Sequence, residues 1–547
     1  MAPGLFLEFI MRRGNLLSVL GLFALAGGGA AGAAVRLPQL FSNHMVLQRH
    51  AVIPVWGWAK AGQKVTVHFA GKRFHATANA HGKWLVRMAP LRADAHGRTL
   101  AIHVNRGGRI AIRDVLVGDV WLCSGQSNMQ FPVDGSWARA LHARREVAAA
   151  HFPLIRLLKV PMSNTPRPQR KVKARWTVCA PATVKDFSAV AYFFGRDLFS
   201  RIHVPVGVID SSYGGTVIQS WTPMSALKRT PALHRDVLWF SKAARRYHQQ
   251  LRQYQRVMRN WAAAARKARA AGRAKPPKPR VKPPQDPFTL SRPSPDMAPA
   301  SIFNAMIHPL IPYALRGVVW YQGENNAWVN DRLYGVRLQA MIKGWRRDWA
   351  NGAGGRAPAG RGVPFLIVQI APYFHYPAPT VGVPLVWQGE EQAVRKLPRV
   401  GMISTTDATH GRNIHYRNKQ AVGRRLTQLA LHMAYGRGRL RSIGPMYKSM
   451  SVKHGRIVIS FSGVRGALVS SNHQPLDWFQ IAGPNRKFLP AQAKIKGHTV
   501  VVQAAAAPHP VAVRFAWNCN AHPNLMDRSG RSPAPVLPFR TDHWPVK

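Results

Sequence analysis

The chain has 547 residues, too many for a single hydrophobic core, so two to four domains are expected. A hydrophobic content of 46% with 17 tryptophans excludes a disordered polymer, and after the N-terminal leader no apolar run is long enough to span a bilayer. The formal net charge of +57 is scattered along most of the chain with no recognisable nucleic-acid module, so no specific nucleic-acid partner is expected; adaptation to an acidic exterior or association with an anionic surface fits diffuse charge better.

Arg12 and Arg13 precede an apolar stretch over 16–26 and a small-residue tract in which Ala31-Gly32-Ala33 fits the A-x-A cleavage pattern. Residues 1–34 read as a signal peptide, and the mature protein as exported, periplasmic or extracellular. The three cysteines, Cys123, Cys179 and Cys519, allow one disulfide and one free thiol in that compartment, and spacing does not select the pair. Cys123 directly follows an apolar run and reads as an inert buried thiol.

Residues 35–113 alternate apolar and polar positions between frequent turns, as in AVIPVWGW and KVTVHF, and predict an antiparallel β-sandwich. From residue 114 to 436 apolar strands alternate with helical patterns, which predicts a parallel sheet covered on both faces. The expected strands cover 115–122, 204–209, 317–321, 366–370 and 399–405, and a helix is expected over 137–150. Within this domain, 232–299 reads as a helical, Ala/Arg-rich insertion with a Pro-rich return, either a lid or basic surface patch or a solvated decoration. Residues 437–547 turn β again and form a C-terminal β domain.

The stretch VLVGDVWLCSGQSNM, residues 115–129, is a buried strand ending in a small polar turn. Such turns sit at the carboxyl edge of open α/β sheets, where ligands bind. Ser127 is the residue placed to act there, although a capping serine in a polar turn accounts for the same pattern. A G-x-S-x-G elbow would need glycine at Met129, so the α/β-hydrolase version is excluded. Other strand-end turns carry Gly214-Gly215 and Gln322-Gly323-Glu324. Acyl transfer needs a hydroxyl, a base and oxyanion donors. His415, on a polar loop before a helix, is a candidate base.

The blocks WLCSGQSNMQ, FSAVAYFFGRDL, PVGVIDSSYGGTVIQSW, NAMIHPLIPYALRGVVWYQGENN and IHYRNKQAVGRRL occur in this order. Together they resemble the sialate O-acetylesterase family of SGNH-type carbohydrate esterases. LFSNHMVLQR and IPVWGWA resemble its N-terminal β domain, and GPMYKSM and PFRTD its C-terminal one. The resemblance implies a three-layer, SGNH-hydrolase-like α/β sheet flanked by the two β regions. It implies a serine carbohydrate esterase that removes O-acetyl groups from sialic acid or plant cell-wall sugars, with no metal and no cofactor.

By the same resemblance Ser127 is the nucleophile, His415 the base and Gly215 the oxyanion glycine, with Gln322 or Asn326 as the side-chain oxyanion donor beside the Ser127 backbone. Gln126, Asn128, Met129, Tyr213 and Glu324 share these blocks and are expected to meet the substrate. The chain departs from the family's D-I-H-P: it reads Asn413-Ile414-His415-Tyr416, and Arg412 is no carboxylate either. Loss of the orienting acid from a triad costs roughly 10⁴ in kcat. Asp407 is the nearest acid before His415 and is expected to take that place. Otherwise a Ser–His dyad operates, or the protein is a weakly active or non-catalytic carbohydrate binder. Tyr213 stands where the family commonly has Trp, which bears on the sugar subsite.

Overall fold

Seven strands build the N-terminal region: β1 Val46–Gln48, β2 Ile53–Trp58, β3 Lys64–Phe69, β4 Lys72–Thr77, β5 Lys83–Met88, β6 Asp94–Val104 and β7 Gly108–Gly125. In β3 the side chains of Val65, Val67 and Phe69 turn inward while their neighbours face out, as a two-residue period requires. β3 pairs antiparallel with β4 and β6, β6 with β7, and β2 with β5. The computed structural model describes residues 35–105, 108–284, 298–352, 362–373, 381–407, 413–437, 440, 442–529 and 533–546. The leader read over 1–34, Arg412 and part of the Pro-rich return lie outside the described residues.

Seven more strands follow: β8 Phe152–Lys159, β9 Trp176–Cys179, β10 Val206–Ser212, β11 Gly317–Tyr321, β12 Phe365–Val368, β13 Val400–Ile403 and β14 Ser442–Ile443. They join β7 in the order β14-β13-β12-β11-β7-β10-β8-β9. All these pairings are parallel except β8 with β9. β7 therefore serves two sheets. Its first half pairs with β6 and has exposed positions; from Val115 on it is continuously buried and from Asp119 pairs with β10. The boundary read between 113 and 114 falls inside this one strand, with no linker there.

β10, β11, β12 and β13 are buried at every position, so both sheet faces are covered. Helix Ala189–Ile202 packs on helix Lys419–Ala434, where Thr427 Oγ1 reaches the Phe194 carbonyl at 3.3 Å. Helix Tyr334–Gly352 packs on helix Gly382–Lys396. The order of strands gives the sheet a switch point. After β7 the chain lays down β8 and β9 on one side and returns to insert β10 between β7 and β8, then crosses to build β11, β12 and β13 outward on the other. The carboxyl ends of β7, β10 and β11 lie together at that reversal, which is where such sheets bind ligands.

The insertion is one helix, His234–Ala270, with ten arginines and lysines against a single acid, Asp236. Only Phe240 of its 37 residues is buried. At 1.5 Å per residue it is about 55 Å long. The helix expected over 137–150 is shorter, Ala143–Ala148, and the residues before it form a loop. After residue 446 three antiparallel sheets enclose a separate core that includes Ile457, Ile459, Val500, Val502, Phe515 and Phe539. All three cysteines are free thiols, Cys123 and Cys179 buried.

Gly125 ends β7 with φ +142°, and a Cβ there would lie 2.0 Å from the Tyr321 carbonyl oxygen. Gly272 also has positive φ, +66°, but nothing lies within 4 Å of its Cβ position. Gly125→Ala is therefore expected to cost about 3–5 kcal/mol and Gly272→Ala only about 1–2 kcal/mol. Thermal melts of the two variants check this; equal shifts in Tm would show that the strand ends part easily.

Candidate active site

The turn after β7 is clamped on both sides. Tyr213 N–H donates to the Gly125 carbonyl at 2.9 Å, and Gln126 N–H donates to the Tyr321 carbonyl at 3.0 Å. Gln126 is extended, and Ser127 opens a one-turn helix, Ser127–Gln130. The Gln126 carbonyl accepts from the Met129 and Gln130 N–H groups at 2.9 Å each. This geometry leaves Ser127 partly exposed while burying Asn128 and Met129.

His415 comes from the loop before helix Lys419–Ala434, which Asn418 caps by accepting from the Ala421 N–H. An Asx turn shapes that loop: the Asn413 side-chain oxygen accepts from the His415 N–H at 2.8 Å. His415 Nε2 lies 2.8 Å from Ser127 Oγ, within reach for proton transfer. The half-exposed Trp137 ring stands edge-on to the imidazole, with centroids 5.5 Å apart. Burial, and then the charge of Lys419, push the His415 pKa down to about 4.

Asp407 does not serve this imidazole. Its carboxylate is held by Arg425, with Nη1 donating at 2.7 Å and Nη2 to the other oxygen. Among the described residues no carboxylate bonds to His415 Nδ1. Nearness in sequence placed Asp407 at the base, but a guanidinium projecting from the following helix outcompetes an uncharged ring for it.

The side-chain oxyanion donor also differs from expectation. Gly214 lies against Ser127, and its N–H is taken by Gln130 Oε1 at 2.8 Å. Gly215 follows with φ +70°, and among the described residues nothing accepts from its N–H. Gln322 is fully buried, and its amide nitrogen is shared among Gln126 Oε1 at 3.2 Å, Thr216 O at 3.0 Å and Asn326 Oδ1 at 2.8 Å. Asn326 is buried too; its Oδ1 also accepts from the Ile218 N–H, and its amide nitrogen reaches Gln219 and Asp331. Neither amide is free to meet a substrate. Asn325 is only partly buried, and among the described residues its amide nitrogen makes one hydrogen bond, to the Gly215 carbonyl at 2.6 Å. Among the described residues the donors left without an acceptor in the turns around Ser127 are thus the N–H groups of Ser127 and Gly215 and the second Asn325 amide hydrogen.

Four residues expected to meet substrate lie beneath the site instead. Met129 is in the core. Gln126 Oε1 collects the Gln322 amide and the Gly323 and Asn325 N–H groups. Asn128 donates to Glu324 Oε1 at 2.6 Å and to the Ile414 carbonyl at 2.9 Å, and accepts from Lys419 Nζ at 2.6 Å. Glu324 and Lys419 are buried with it. Burial raises the Glu324 pKa and lowers that of Lys419 to about 7. Tyr213 alone of the expected group stands partly exposed at the edge of the site.

Asn325, Trp137 and Lys419 were not picked out by sequence reasoning. Helix phase carried a signal for Asn325. Gln322 and Asn326 are four apart across the start of helix Glu324–Trp328, so they share its inward side and Asn325 is turned off it.

No family model matches the chain. The sialate O-acetylesterase of Rattus norvegicus is 28% identical over 522 residues, covering 89% of this chain and 90% of its own length. That of Homo sapiens is 27% identical over 552 residues, covering 94% and 95%. The crystal structure of a carbohydrate acetylesterase from Xanthomonas citri superposes with a TM-score of 0.74 at 31% identity, covering 93% of this chain and 100% of that one.

The two amides should separate by variant. Asn325→Ala is expected to lower kcat for ester hydrolysis by about 10²–10³ with KM little changed, as loss of an oxyanion donor does. Gln322→Ala is expected to cost about 1–3 kcal/mol of stability, because it strands buried acceptors. Steady-state kinetics and denaturant midpoints on both variants check this; a catalytic loss confined to Gln322→Ala would reverse the assignment.

Proposed function

The chain belongs to the sialate O-acetylesterase family of carbohydrate acetylesterases, and from that premise we propose that it is a serine esterase working through an acetyl-Ser127 intermediate. One observation carries this reading: the 2.8 Å contact between Ser127 Oγ and His415 Nε2 at the switch point of the sheet. Neutral His415 takes the Ser127 proton as Oγ adds to the acetyl carbonyl carbon. The carbonyl oxygen, now negative, is received by the Ser127 and Gly215 N–H groups and the Asn325 amide. These dipoles are already oriented, so they stabilise the charge without rearranging. The tetrahedral centre collapses, the sugar oxygen leaves and it takes the proton from His415. Water then repeats the sequence on acetyl-Ser127, releasing acetate and restoring the hydroxyl.

The base works as half of a dyad. With no carboxylate on Nδ1 among the described residues, the imidazolium formed in each step lacks a paired counter-charge there, so a slower enzyme than a full triad is expected. The substrate in this reading is an O-acetylated sugar, a sialic acid or a plant cell-wall polysaccharide. Its ring would lie against Trp137, which is 48% exposed beside the imidazole, and near Tyr213. Export, and contact of the basic helix His234–Ala270 with an anionic surface, belong to the same proposal.

Ser127→Ala is expected to abolish acetate release with Tm unchanged, and a serine-directed organophosphonate to label Ser127; an adduct mapped to another residue overturns the reading. Acetate release compared across acetylated sialic acid, xylan and xyloglucan identifies the sugar. The pH profile gives a second test. His415 must be neutral to act, and its pKa lies below its ordinary 6.5, at about 4. Activity should therefore persist as pH falls through 6.5 and disappear only through about 4. An acid limb of kcat/KM near 6.5 or above would mean that a carboxylate holds the imidazole after all.

A further inference from the structure

Lys419 is wholly buried, yet it differs from the buried arginines of this protein. Arg156, Arg337 and Arg425 each pair with a carboxylate. Among the described residues no carboxylate lies within ion-pair distance of Lys419. Its ammonium instead sits 2.6 Å from Asn128 Oδ1, with the rings of Tyr416, Phe131 and Tyr321 at 3.8, 4.8 and 5.6 Å. Desolvating an ammonium is costly, and aromatic faces offset only part of that cost.

The cation constrains the neighbour of the nucleophile. An ammonium only donates, so Asn128 must turn its oxygen toward Lys419. Its NH₂ group then has to point the other way, to Glu324 Oε1 and the Ile414 carbonyl. That carbonyl belongs to the peptide unit that supplies the His415 nitrogen. Asn128 is thus bonded covalently to Ser127 and by hydrogen bond to the peptide of His415.

We propose that Lys419 is the positioning residue of the catalytic pair: by fixing which way the Asn128 amide faces, it holds the His415 loop at hydrogen-bonding distance from Ser127. The proposal rests on the Ser127–His415 reading above. Misplacement of a reacting group by about 1 Å costs up to about 10²-fold in rate, so the expected effect is large for a residue that touches no substrate. The positive charge has a second effect that a purely structural residue would lack. The titratable groups around it are Glu324, Tyr321, Tyr416 and His415, with Glu390 behind Glu324. The ammonium opposes protonation of His415, so removing it should let the imidazole protonate at higher pH.

Lys419→Met keeps the apolar stem and removes the charge. It is expected to fold, because it removes a buried charge that has no carboxylate partner among the described residues, and stranding the Asn128 oxygen costs only about 1–3 kcal/mol. We expect kcat to fall about 10–100-fold with KM little changed and the acid limb of the pH profile to move to higher pH. In an Asn128→Ala background the same substitution should lower kcat no further, since Lys419 acts through that amide. If Lys419→Met does not fold, Asn128→Asp tests the same link. It retains the partner of Lys419 but has no donor for the Ile414 carbonyl, and kcat should fall comparably. A folded Lys419→Met with wild-type kcat and an unmoved acid limb overturns the proposal, as does wild-type activity in Asn128→Asp. Organophosphonate labelling of the wild type separates the two ideas. A label on Ser127 with those negative results removes only the role of Lys419, whereas a label elsewhere removes the dyad itself.

Discussion

Three strand ends meet at Gly125, and there is no room for a side chain between them. The Tyr321 carbonyl stands 2.0 Å from the position a Cβ would take, and the flanking backbone bonds to β10 and β11 tie the turn on both sides. Everything catalytic in this molecule is measured from that point. Ser127, the proposed nucleophile, follows two residues later, the glycine pair leaves β10 beside it, and the Asn325 amide arrives from β11 through the short helix Glu324–Trp328. A parallel sheet makes this possible, because its strands deliver all their carboxyl ends to one edge.

Beneath the edge lies a polar layer that a smaller protein would have difficulty burying. Gln126, Gln322, Asn326, Asp331 and Arg337 form one hydrogen-bonded series, which ends on Asp236 at the base of the long helix. Asn128, Glu324 and Lys419 form a second. Buried polar groups hold their positions because every alternative leaves a donor or acceptor unmatched. The side chains that face the substrate are few, and they are held by many that do not. The same burial removes water from His415, which is why the imidazole is neutral well below its ordinary range.

Five strands of the central sheet, β7 and β10 to β13, were legible because β-branched apolar runs ending in small polar turns have few other uses, whereas β8, β9 and β14 were not read. Ser127 and His415, whose side chains lie 2.8 Å apart, were singled out as members of ordered sequence blocks. The errors share one physical origin: a block of sequence names a neighbourhood but not a direction. Asn128 and Met129 adjoin Ser127, yet in a single helical turn adjacent residues point about 100° apart, and these two go into the core. Asn326 was named and its neighbour Asn325 was not, for the same reason. Asp407 lies eight residues before His415, but the fold brings Arg425 to its carboxylate. Lys419 reads as an ordinary cation near a helix start. Its burial depends on Phe131, Tyr321 and Tyr416, which come from widely separated parts of the chain. The tryptophan beside His415 was hidden by apparent helical periodicity in a segment that is mostly loop.

β7 has a consequence for how such a protein can be inherited. Modules usually recombine at linkers, where a cut leaves both sides able to fold. Here a cut at the edge of the N-terminal sheet would pass through an uninterrupted strand whose far end carries the Ser127 turn. Trimming the long basic helix beyond Phe240, by contrast, would leave every strand pairing of the central sheet in place. Removing the N-terminal sheet would strip β6 and β1 from the flank of β7 and expose its first half as an unpaired edge. The N-terminal sheet and the catalytic sheet are therefore expected to travel together through evolution as one heritable unit.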